Sequence, residues 1–105
     1  MFQQKKTIFL KSPVRRHSVP AFEEDYLVVR DFIYRILAEE KEILIIDLIE
    51  RAHIQLADKL EGDLGWYVLN VKQDMESKGL IRNVVANRTQ KFPMIRLNRK
   101  KLFAR

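Results

Sequence analysis

The feature that most constrains this chain lies between Leu64 and Asn98. Leu64, Val68, Val71 and Met75 recur at the spacing that lays side chains along one face of an α-helix, and Gly79 follows where such a helix would stop. Two segments rich in β-branched and apolar residues come next, Ile81 to Ala86 and Met94 to Leu97. Between them stand the polar run Asn87-Arg88-Thr89-Gln90-Lys91 and then Phe92-Pro93, which predicts a hairpin with a basic tip and its proline on an exposed edge. A chain that must pass from a capped helix straight into a tight hairpin has few architectures open to it.

The upstream pattern adds two more helices. Tyr26, Val29, Ile33, Ile36 and Leu37 share one side of a helix expected from Glu23 to about Glu40, with Glu23, Glu24 and Asp25 suited to its positive N-terminal end. Val28 and Phe32 fall away from that stripe, so they call for a second cover, either Ile8-Phe9-Leu10 or another subunit, which leaves a homodimer open. The run Ile43 to Ile46 reads as a brief strand. Asp47 and Glu50, three apart, can cap a second helix reciprocally, with Leu48, Ile49, Ala52 and Leu56 as its buried face and its end near Leu60. Glu61-Gly62-Asp63 makes the next turn, and Asp63 caps the third helix. Residues 1–22 hold Pro13 and Pro20 and no sustained periodicity, which predicts an arm with a short strand at Lys6 to Leu10.

At 105 residues, 47% of them hydrophobic, the chain has the size of one small domain with one core. It has no cysteine, which excludes disulfides, thiolate metal sites and thiol nucleophiles. No apolar run, Ile43 to Ile46 included, exceeds four residues, far short of the roughly 20 that span a bilayer, so the expectation is a soluble, intracellular protein, cytoplasmic or nucleoid-associated, with no membrane partner. Charge is segregated. Residues 1–22 carry five bases and no acid, residues 23–78 carry all 14 acids against seven bases, and residues 79–105 carry eight bases and no acid. A polyanion would be drawn to both ends and repelled by the middle.

Helix, short strand, helix, turn, helix and hairpin is an order that resembles the winged helix-turn-helix family, over residues 23–98. The closest likeness is Met75-Glu76-Ser77-Lys78-Gly79-Leu80-Ile81, which is similar to the phrase that closes the recognition helix in many members. The resemblance implies an α+β, mainly α fold: a three-helix winged helix-turn-helix core with a short strand and a C-terminal β-hairpin wing. The organisation is then a basic N-terminal arm (1–22), the winged-helix domain (23–98) and a basic tail (99–105). It further implies a protein that binds double-stranded DNA, a small transcriptional or replication-associated factor, with the third helix in the major groove and the wing on the backbone.

On that expectation Trp66, Asn70, Gln73 and Ser77 face outward, opposite the core stripe. Asn70 and Gln73 can bond to the edge of adenine, Ser77 to bases or phosphates, and Trp66 or Tyr67 can stack. Yet residues 63–78 carry three acids against two lysines, a poor balance for a helix on DNA. Arg82, Arg88, Lys91 and Arg96 on the wing would supply phosphate contacts, continued by Arg99, Lys100 and Lys101, while Lys5, Lys6, Lys11, Arg15 and Arg16 would do so from the arm. The alternative from another class is a winged-helix protein-interaction module, a subunit of an assembly, using Trp66, Val28 and Phe32 as its interface.

Signals for catalysis are weak. His17 and His53 have no metal-ligand spacing, three glycines form no phosphate loop, and Glu39, Glu40 and Glu42 read as a solvated cluster, so neither enzyme activity nor a cofactor is expected. Arg15-Arg16-His17-Ser18 is similar to sites favoured by basophilic kinases, and phosphate there would subtract positive charge from the arm.

Overall fold

The computed structural model describes residues 5–60, 62–84 and 93–98. The fold is α+β, with three helices and two small antiparallel sheets among the described residues. Strands β1 (Thr7–Leu10) and β2 (Val19–Phe22) form a hairpin, followed by α1 (Glu23–Glu40), β3 (Glu42–Leu44), α2 (Ile45–Gln55), α3 (Leu64–Ser77), β4 (Ile81–Val84) and β5 (Met94–Leu97). The second sheet has the order β3-β5-β4. Ile43 sits opposite Ile95, and Ile81 opposite Leu97, so alternate residues turn inward against the helices while Glu42, Arg96 and Arg82 line up on the other face.

The first helix buries Tyr26, Val29, Ile33, Ile36 and Leu37, the stripe read from the sequence. Phe32 is also buried within the chain and Val28 is half-buried against the core, so Phe32 needs no second subunit to cover it. Residues 7–22 are a packed hairpin whose Leu10 and Ala21 enter the core. The β1 side also starts α1, for the backbone N–H of Glu23 donates to the Lys6 carbonyl at 2.8 Å, one of the four helix-start donors that lack an internal partner.

The second helix departs from expectation at both ends. It begins at Ile45, two residues before Asp47, and no side chain caps it. Instead the Ile45 N–H donates to the Pro93 carbonyl at 3.0 Å, so a neighbouring segment of the chain does what the Asp47 and Glu50 pair was expected to do. The helix stops at Gln55, short of Leu60. Pro93 is exposed as expected, but it precedes the central strand β5 and does not lie on an edge strand.

The third helix matches the sequence closely. The Asp63 carboxylate accepts from the Trp66 N–H at 3.0 Å, capping the start, and Leu64, Val68, Val71 and Met75 are buried. At the other end Gly79 takes φ 76°, the Gly79 N–H donates to Glu76 O at 3.0 Å, and the Leu80 N–H donates to Met75 O at 2.9 Å. These two bonds are the Schellman closure, and its left-handed residue is the one glycine tolerates best. The expected tip of the C-terminal hairpin, with Arg88 and Lys91, and the tail with Arg99, Lys100 and Lys101 lie outside the described residues.

Candidate nucleic-acid interface

The face of α3 opposite its core stripe is not open. The β1–β2 hairpin lies across it, and Arg15, in the connection between the two strands, is bound to it directly. The guanidinium of Arg15 donates from Nη1 to Asn70 Oδ1 (3.0 Å) and to Gln73 Oε1 (2.9 Å), from Nη2 to the Leu10 carbonyl (3.0 Å), and from Nε to the His17 carbonyl (2.8 Å). Asn70 also donates from Nδ2 to the Trp66 carbonyl at 2.9 Å. The acceptor oxygens that the sequence assigns to base edges are therefore engaged inside the protein.

The rest of that face divides in the same way. Tyr67, expected to stack on DNA, is buried. Its hydroxyl accepts from the Phe22 N–H at 3.2 Å, and its ring lies so near Gly62 that a Cβ there would come within 2.8 Å. Trp66 is half-buried and meets Tyr67 edge to face with ring centroids 5.0 Å apart. Ser77 is exposed. The sequence missed this arrangement because helical periodicity reports that a side chain points away from the core, not that another element covers it.

The acids of α3 are all engaged. Asp63 is the cap. Glu76 pairs with Lys72 at 2.6 Å and accepts from Asn83 Nδ2 at 3.1 Å. Asp74, 1% exposed, is a three-way tie: Oδ1 accepts from the Lys11 N–H of the hairpin at 2.9 Å, while Oδ2 accepts from the Tyr26 hydroxyl of α1 at 3.0 Å and pairs with Lys78 Nζ at 2.8 Å. Lys78 Nζ also donates to the Tyr26 hydroxyl at 3.1 Å. Burial raises the Tyr26 phenol, and the charge of Asp74 reinforces this against the pull of Lys78. Burial acts to lower the Lys78 ammonium, but its hydrogen bonds to Asp74 and Tyr26 outweigh that and leave it raised.

Positive groups stand beside this helix. A cavity of about 280 Å³ opens between the hairpin connection and the end of α3, lined by Lys11, Arg15, Arg16 and His17 together with the serines Ser12, Ser18 and Ser77. No carboxylate lines it. From Ser77 the Gly79 turn leads directly to the exposed Arg82 on β4. Arg96, on the central strand, lies in register between Glu42 and Arg82, so part of its charge faces an acid. At the opposite end of the hairpin Lys6 pairs with Glu23 at 3.3 Å and Lys5 stands over the Phe22 ring at 5.3 Å, which separates both from the Arg15 cluster. Among the described residues no group of His, Cys, Asp and Glu could hold a metal ion, and no helix is long and apolar enough to cross a membrane.

A family model matches residues 7–92, from the first residue of β1 through the three helices and β4. The chain belongs to DUF6958, a family of unknown function. The matched region thus begins with the hairpin. No curated protein and no solved structure matches the chain.

Proposed function

We propose that this DUF6958 protein is a winged-helix DNA-binding protein that grips the duplex chiefly through its phosphates, as a small transcriptional or replication-associated factor would. The observation that carries the reading is the docking of the hairpin on α3 through Arg15, which sets Lys11, Arg15 and Arg16 beside a helix whose own acids are already held by hydrogen bonds or ion pairs. Two features of the fold support the architecture: the element order from α1 to β5, and the pairing of β3 with β5, which joins the strand between the first two helices to the C-terminal hairpin as a wing requires. Because Asn70 and Gln73 bond to Arg15, contacts to base edges through them need the hairpin to shift, and the resting protein is expected to bind with little sequence preference.

Three phosphate contacts imply a slope of about −2.7 in log affinity against log salt, hence roughly a 40-fold loss between about 50 and 200 mM salt. Fluorescence anisotropy with mixed-sequence duplex DNA checks this, and replacing Lys11 and Arg16 with alanine should reduce the slope by about 2. Absent or salt-insensitive binding would sink the reading.

A protein-interaction module is the second reading, favoured by the exposed apolar side chains Leu69 on α3 and Ile46 and Ile54 on α2, the last 77% exposed. In that case Leu69→Ser and Ile54→Ser would alter the elution volume while leaving DNA affinity unchanged.

A further inference from the structure

The hydrogen bonding of Arg15 singles out the cavity beside it. The four acceptors of Arg15 are two backbone carbonyls and two side-chain amides, all neutral. Its orientation is fixed and its charge is not cancelled. A guanidinium has five N–H donors, of which these bonds use four, so one N–H on Nη2 remains to donate. The described contacts leave the side chains of Lys11, Arg16 and His17 without a partner among the described residues. The Ser12 hydroxyl oxygen accepts from the Val14 N–H at 3.2 Å, which leaves its hydrogen to donate.

Two nearby sources of negative potential are met in large part within the chain. Asp74 is paired with Lys78, and it takes two further hydrogen bonds, from Tyr26 and from the Lys11 backbone. The last-turn carbonyls of α3 would repel an anion, but those of Asp74, Met75 and Glu76 accept from Lys78, Leu80 and Gly79. What remains is a concave set of donors without a carboxylate. Its volume of about 280 Å³ leaves room for a tetrahedral anion with some of its waters, each water occupying about 30 Å³.

We propose that this cavity is a discrete phosphate-group site, with Arg15 as its fixed floor and Lys11, Arg16 and the serine hydroxyls as its closing donors. The proposal deepens the DNA-binding reading, on which it rests for its natural ligand, by naming the group the hairpin holds. The phosphate comes from one of two sources, a terminal monoester or an internal phosphodiester of a nucleic acid strand.

The first probe is inorganic phosphate, titrated at constant ionic strength against chloride and followed by amide chemical shifts. Saturable shifts confined to residues 11–18 and Ser77 are expected. Lys11→Ala with Arg16→Ala should weaken them at least tenfold, while Arg30→Ala, which removes a cation paired with Asp31 on α1, should not. Both altered side chains in the double variant are exposed, so an unchanged thermal transition confirms that it folds. The second probe is a short duplex with or without a 5′-phosphate. Tighter binding of the phosphorylated duplex assigns a terminal monoester, and equal binding weakened alike by the double variant assigns the backbone; either supports the site. Salt-dependent DNA binding without saturable phosphate shifts overturns the site and spares the DNA reading. Saturable phosphate binding without DNA binding supports the site and removes that reading.

Discussion

Asp74 shows how much of this protein is held by one side chain. It is the point at which the hairpin, α1 and α3 meet, and each of its oxygens is used. Replacing it with asparagine keeps the shape but sets an amide beside the Lys78 ammonium. The expected loss is about 2 kcal/mol in urea denaturation, below the figure for a fully buried pair because Lys78 is half exposed. A loss within about 0.5 kcal/mol, the range of ordinary surface substitutions, would show that Asp74 ties nothing together. The same cluster sets an alkaline limit. Tyr26 and Lys78 both hold their protons more tightly in the folded chain than in the unfolded one. The unfolded chain therefore sheds protons first, and stability that is fully present below about pH 10 is lost as pH rises through the raised folded values. Tyr26→Phe should shrink the fall in denaturation midpoint between about pH 9 and pH 11, measured against the wild type because Tyr34 is also raised by burial.

At the scale of elements, the helix ends show which local signals survive into the fold. The α3 boundaries were legible because both are made from residues within a few positions of the helix: Asp63 caps its own third N–H, and Gly79 closes the last turn. Gly79→Ala should cost about 1 kcal/mol, visible as a lower thermal midpoint, because an L side chain at φ 76° is strained. The α2 start is not legible in the sequence, for the opposite reason. Its cap is the Pro93 carbonyl, which no window around Ile45 contains. The β1 strand was found from its own residues, but its partner β2 was not, since Val19-Pro20-Ala21-Phe22 is short, holds a proline and becomes a strand by pairing with Thr7–Leu10.

For the whole molecule, the hairpin decides both stability and the candidate site. Deleting residues 1–22 removes the buried Leu10 and Ala21, the Lys6 carbonyl that starts α1 and the Lys11 N–H that Asp74 accepts. Burying one leucine is worth about 1.5–3 kcal/mol, and a small domain has only about 5–15 in total. The truncated chain should therefore lose its cooperative near-UV circular dichroism transition. An unchanged thermal midpoint would mean that the hairpin is only an attachment. The same deletion removes Arg15 and opens Asn70 and Gln73, so it is not a clean test of DNA contact by the hairpin. The Lys11 and Arg16 double variant serves that purpose.

The order of the helices, the α3 core stripe, its cap and closure, and the basic ends around an acidic middle all followed from the sequence, because each depends on composition or on neighbours within one or two turns. The tertiary structure alone decided that residues 7–22 fold onto α3, that Tyr67 turns into the core, and that Asn70 and Gln73 receive Arg15, more than 50 positions away in the chain. Periodicity identifies the side of a helix that avoids its own core. Which element then covers that side depends on long-range packing and on where buried polar groups such as Asp74 find their partners.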